Sequence, residues 1–176
     1  LFVGLVPARG PLRLNADQYV ILTQCQPTEL HASRGSGFDP ERAAMMAERA
    51  AQYAADPVGF VRDRTPLLVA DTTPASVVAD IASIMDRACR MPGYGYAAAS
   101  LGETDHTPDL GRIHVPTLVV VGEHDRVCPP ADSRLLADGI PGALYVEVPD
   151  SGHLPNQECP EAFNRTVGDW LEGLPG

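Results

Sequence analysis

Two residues late in the chain, Asp125 and His153, combine the types needed to move a proton. Asp125 closes the run Gly122-Glu123-His124-Asp125, and His153 lies in Ser151-Gly152-His153-Leu154; each run follows a short apolar stretch. In open sheets of parallel strands, reactive groups gather at the carboxyl ends of the strands, so these two can meet at one edge. A carboxylate accepting from the histidine Nδ1–H holds the ring in the tautomer whose other nitrogen can take a proton from a hydroxyl. The chemistry this could serve is general-base activation of a hydroxyl. Taken alone, Asp125 reads equally well as a turn residue capping the next helix, and only its pairing with His153 favours the acid–base reading.

Other chemically capable residues read more simply. Cys128 follows Asp125 closely enough to invite a role as nucleophile, but a small loop filler is the plainer reading. Cys25, Cys89, Cys128 and Cys159 form no CxxC pair and the five histidines have no metal-ligand spacing, so a zinc site is not expected. His114 and His124 read as strand-entry and loop residues, and His106 as a solvated loop histidine. Glu158 either pins the histidine loop or starts the last helix, in both cases as structure. Cys89 is assigned to the core, and Met45, Met46, Met85 and Met91 to packing.

The elements that must position Asp125 and His153 follow from pattern. Thr117 to Val121 is a continuous β-branched run stopped by Gly122, as in a strand buried on both faces. A helix is expected over Pro130–Asp138, a second strand over Ala143–Val148, and an amphipathic helix over Pro160–Leu171. Upstream, Asp39-Pro40-Glu41 supplies a helix start and the Ala/Met/Glu/Arg run continues it from Arg42 to Ala55. Asp56-Pro57 opens a second helix around Val58–Val69, kinked or split by Pro66. Thr73-Pro74 opens a third, with Val77, Ile81, Ile84, Met85 and Ala88 on one stripe, ended by Pro92-Gly93. A short helix over Tyr94–Leu101 and a polar linker over Glu103–Asp109 complete a helical block. Before it, Leu1–Val6 and Tyr19–Leu22 read as short strands.

The 176 residues, 44% apolar and 20% charged, suit one globular domain rather than a disordered or fibrous chain. Thirteen basic residues, all arginine, face 23 acidic ones, a net charge of −10 that repels nucleic acid and anionic lipid. Residues 1–37 are slightly basic, so a boundary is placed near Gly37. No signal segment is legible at Leu1–Val6, so a cytoplasmic location with reduced thiols is expected. The chain opens on leucine within an apolar run and is read as a fragment.

The stretch from Arg112 to Leu171 resembles the C-terminal portion of the α/β-hydrolase superfamily. The likeness is carried by Val115-Pro116-Thr117-Leu118, Gly122-Glu123-His124-Asp125, Pro129-Pro130, Ile140-Pro141-Gly142-Ala143, Ser151-Gly152-His153-Leu154 and Glu158-Cys159-Pro160-Glu161-Ala162-Phe163. Within that superfamily it looks most like the small-cap esterases and lactonases typified by 3-oxoadipate enol-lactonases, and the helical block is similar in position and length to their cap. The resemblance implies an α/β fold class: the C-terminal part of an α/β-hydrolase fold, a truncated, mostly parallel sheet with a helical cap. Three regions follow: 1–37 as a remnant strand region, 38–110 as the cap, and 111–176 as a strand-helix-strand-helix unit. Leu1–Val6 would stand in for the family's sixth strand.

The resemblance further implies that Asp125 is the triad acid and His153 the general base, in the family's order Ser, Asp, His. The substrate would be a small-molecule ester or lactone, without cofactor or metal. The sequence departs from the family in having no G-x-S-x-G. Its degenerate forms around Ser33 and Ser100 follow a polar loop and lie in a predicted helix, whereas an elbow serine needs a strand-to-helix turn. Dienelactone hydrolases use cysteine, but at the upstream elbow and not where Cys128 stands. The chain alone is therefore expected to be inactive. The alternative is a non-catalytic relic that binds a small ligand or a partner. An exposed sheet edge would favour self-association or a complementing chain.

Overall fold

In the computed structural model, residues 20–23, 40–103 and 107–174 are described. Helices dominate them. Strand β1 (Val20–Thr23) is followed by α1 (Pro40–Ala55), α2 (Pro57–Arg64), a 3-10 turn at Thr65–Leu67, α3 (Ala75–Ala88), α4 (Gly93–Glu103) and a 3-10 turn at Thr107–Arg112. Then come β2 (Thr117–Gly122), α5 (Pro130–Gly139), β3 (Leu144–Val148), the one-turn α6 (Pro155–Glu158) and α7 (Pro160–Glu172).

The three strands pair in parallel in the order β1-β2-β3, with Val20 opposite Thr117 and Leu118 opposite Leu144. β2 is the central strand and is buried along its whole length. Its side chains alternate between two cores, as the period of a strand requires. Leu118 and Val120 join Val148, Phe163 and Val167 on the face covered by α7. Val119 joins Leu110, Leu136, Ala137 and Ile140 on the face covered by α5. Each fully buried aliphatic side chain contributes roughly 1.5–3 kcal/mol, so this sandwich anchors the loops that leave the strand ends.

The α/β class expected from the sequence requires correction. The described structure is helix-dominated, and its sheet is small, made of three short strands of 4, 6 and 5 residues. The physical reason lies in residues 40–112, where alanine-rich runs and proline-started turns put a succession of helices between β1 and β2. The expected strand at Leu1–Val6 lies outside the described residues; the segment paired beside β2 is Val20–Thr23.

Local signals act as expected at several helix ends. The Asp56 carboxylate accepts from the Gly59 N–H at 2.9 Å, capping α2. Pro66 does split the second helix, which ends in the 3-10 turn. The α3 stripe is narrower than predicted. Ile81 is buried with Leu68, Val69 and Leu154, whereas Ile84 is 45% exposed. Helix α3 ends at Ala88, before Pro92-Gly93, and Cys89 is half-buried at its end. Met46 is buried and Met85 packs against the Ile81 cluster, but Met45 and Met91 are exposed. The linker predicted over Glu103–Asp109 begins at the last residue of α4 and runs into the 3-10 turn at Thr107–Arg112.

Candidate active site

The carboxyl ends of β2 and β3 lie side by side, and the chain after each is tied to the other. The Glu123 N–H donates to the Val148 carbonyl at 3.0 Å and the His124 N–H to the Ser151 carbonyl at 2.8 Å. A Cβ on Gly122 would sit 1.9 Å from the Gly152 carbonyl oxygen, so glycine is needed where the two loops touch. Asp150 has φ 55, a left-handed turn that aspartate tolerates, and it reverses the chain after β3.

Asp125 is 4% exposed and His153 8%. Asp125 Oδ2 lies 2.9 Å from His153 Nδ1. The other carboxylate oxygen, Oδ1, accepts from the Val127 N–H at 2.8 Å and the Cys128 N–H at 2.7 Å. These two amides fix the plane of the carboxylate, and Oδ2 is then aimed at the ring. A carboxylate at Nδ1 favours the Nδ1–H tautomer and leaves Nε2 as the proton-accepting nitrogen. Asp125 is thus a turn-forming residue and the partner of His153, but it does not cap α5, which starts after Pro129 with no side-chain cap.

A third segment closes the arrangement. The His153 N–H donates to the Leu68 carbonyl at 2.8 Å, and a Cβ on Gly152 would meet the Val69 carbonyl carbon at 2.6 Å. Arg126 reaches the same segment from the other loop, donating to the Val69 carbonyl at 2.7 Å and to Asp71 at 2.9 Å. Asp71, Thr72, Glu123, His124, Asp125 and Arg126 line a cleft of about 540 Å³. A separate cleft of about 460 Å³ lies along α1 and α2, where Arg49, Phe60 and Arg64 face it; burial, with the nearby Arg49 charge, lowers the pKa of the Arg64 guanidinium.

Of the other residues weighed in the sequence, Cys128 is buried beside the dyad, while His114 and His124 are exposed. Asp125, Cys128 and His153 bring one ligand-type atom each within 4.8 Å of one another, as do exposed Glu123, His124 and Asp150. The first trio escaped a search for metal-ligand spacing because its members come from two loops. Its Asp125 oxygens already serve three protein donors. Ser100 lies within α4, not at a strand-to-helix turn; Ser33, His106 and Cys25 lie outside the described residues. Glu158 does hold the histidine loop, accepting from the Gly152 and Leu154 amides, both at 3.0 Å. The contributions of Arg126 and Leu68 were not legible, since their partners lie in distant segments of the chain.

The sequence pattern of the alpha/beta hydrolase family matches residues 4–166, and the chain belongs to that family. A curated relative, 3-oxoadipate enol-lactonase 2 of Acinetobacter baylyi, is 39% identical over 75 residues, 43% of this chain and 28% of the lactonase. A thermophilic esterase from Thermogutta terrifontis superposes with a TM-score of 0.70 at 29% identity, covering 88% of this chain and 55% of the esterase. The enol-lactonase from Burkholderia xenovorans gives 0.69 at 27%, covering 88% of this chain and 56% of the lactonase. The chain therefore spans little more than half the length of these solved relatives. Among the described residues, no helix is long and apolar enough to cross a membrane.

Proposed function

We propose that this chain carries the acid–base half of a hydrolase acting on a carboxylic ester or lactone. The observation that carries the reading is the 2.9 Å contact between Asp125 Oδ2 and His153 Nδ1. In the reaction, a serine oxygen from outside these 176 residues attacks the substrate carbonyl while His153 Nε2 takes its proton. His153 returns that proton to the leaving alcohol oxygen, and Asp125 stabilises the imidazolium in between. Water, activated by the same nitrogen, then attacks the acyl-enzyme and releases the acid. Residues 38–110 act as the cap that shapes the substrate's surroundings, residues 111–176 as the unit bearing the acid and base, and residues 1–37 as the lead into the cap.

The likeness to an esterase and two enol-lactonases supports this substrate class. The absence of G-x-S-x-G from the sequence supports a nucleophile supplied by a longer polypeptide or a complementing chain, docked on the sheet edge. The test is expression of the reading frame together with its upstream DNA. The longer protein should hydrolyse p-nitrophenyl acetate, lose this with His153→Ala, and label with a fluorophosphonate at a glycine-flanked serine. The 176-residue chain should do neither. An upstream frame without such a serine, or full activity in His153→Ala, refutes the proposal in favour of a ligand-binding relic.

A further inference from the structure

We propose that Glu158 is the positioning residue of His153, holding the imidazole against Asp125 without taking part in proton transfer. This rests on the reading of Asp125 and His153 as an acid–base pair. Glu158 Oε2 accepts from the Ala70 N–H at 2.8 Å, the Thr73 hydroxyl at 2.7 Å and the Gly152 N–H at 3.0 Å. Oε1 accepts from the Leu154 N–H at 3.0 Å and shares the Gly152 N–H at 3.0 Å. The residues before and after His153 are thus held by one carboxylate, and the His153 N–H is held by Leu68 at 2.8 Å. Three consecutive amides of the base loop have fixed partners.

All four groups facing Glu158 are neutral donors, so the ionised carboxylate is the form that matches them. Hydrogen bonds to an ionised acceptor are about twice as strong as neutral ones. The same carboxylate joins the base loop to the Leu68–Thr73 segment, which Arg126 ties to the acid loop. The contact of Asp125 with His153, set by the sheet's register and the direct His124 N–H to Ser151 bond, is braced by a further circuit: acid loop, Arg126, the Leu68–Thr73 segment, Glu158, base loop. In Glu158→Gln the amide NH₂ would confront backbone N–H donors, and the base loop would be held to the Leu68–Thr73 segment by the His153 N–H to Leu68 bond without the carboxylate's contacts.

The test uses ¹⁵N-labelled 176-residue chain in NMR. The unaltered chain should show a slowly exchanging His153 Nδ1–H resonance that Asp125→Ala abolishes. In Glu158→Gln this resonance should be lost, and the amides of residues 152–154 should exchange at least about tenfold faster, while those of α7 keep their protection. A merely structural role would lower the melting temperature and leave the Nδ1–H resonance unchanged. Thr73→Val, which removes one donor and keeps the carboxylate, should speed the 152–154 amides in the same direction by less. A folded Glu158→Gln with unaltered resonance and exchange overturns the proposal; should that variant not fold, unaltered exchange at 152–154 in Thr73→Val does so. Absence of an Asp125-dependent resonance in the unaltered chain would instead sink the acid–base reading.

Discussion

Asp125 and His153, 28 positions apart, meet at 2.9 Å because each leaves the carboxyl end of one of two adjacent parallel strands. The contact is a property of the sheet's register: Gly122 lies opposite Val148, so the two loops begin level with each other. The Asp125 side chain also organises its own loop through Oδ1, and its removal tests both tasks.

Asp125→Ala should destabilise the chain by about 1–3 kcal/mol, because the Val127 and Cys128 amides lose their acceptor in a buried setting. Urea unfolding followed by circular dichroism reads this as a lower midpoint at unchanged slope. A midpoint equal to that of the unaltered chain would show that the two amides find other partners.

Two glycines should respond oppositely to alanine. Gly152→Ala places a Cβ 2.6 Å from the Val69 carbonyl carbon and 2.7 Å from the Ala70 nitrogen, so loop or segment must shift, at a cost of about 1–3 kcal/mol or more. Gly168, inside α7, has nothing within 4 Å of its Cβ position, so Gly168→Ala should stabilise by roughly 0.5–1 kcal/mol. Melting temperatures of the two variants should fall on either side of the parent's.

Phe163 is 3% exposed and packs with Leu118, Val120, Val148 and Val167 between α7 and the sheet. Phe163→Ala should cost about 3–5 kcal/mol by lost transfer energy and the cavity left behind. Equilibrium denaturation would expose a smaller loss as evidence that α7 collapses onto the gap.

Burial pushes the Cys159 thiol up, and the Glu158 and Asp150 charges add to the shift. Since the thiolate is the reactive form, a raised value means a smaller reactive fraction at any given pH. Alkylation of Cys159 by iodoacetamide, mapped by mass spectrometry, should have its midpoint above the roughly 8.5 of an ordinary cysteine. A midpoint at or below that value contradicts the electrostatic account.

Much of the site was readable where signals are local. The β-branched run of β2, the proline-started helices and the Gly-x-x-Asp and Ser-Gly-His-Leu segments each carry their structure within a few residues. The role of Glu158 was only half legible, because its partners Ala70 and Thr73 stand 88 and 85 positions away. The one-turn α6 gave no period to detect. Ile84 shows the opposite limit: apolar spacing marks a stripe, but not how much of that stripe its neighbour covers. The balance of helix over strand was misjudged for a similar reason, as the resemblance was densest in Arg112–Leu171 while most helical residues precede it.

The parallel pairing of β1 with β2 joins segments separated by the whole of the intervening helical region. Closing so long a loop brings an entropy loss before any ladder bond can offset it, and a high contact order slows folding. The helices, made of neighbouring residues, can form early, whereas β1 must wait for β2 to be in place. Until it arrives, one side of the central strand has unmet backbone groups, so the nascent chain passes through a stage when it is open to aggregation.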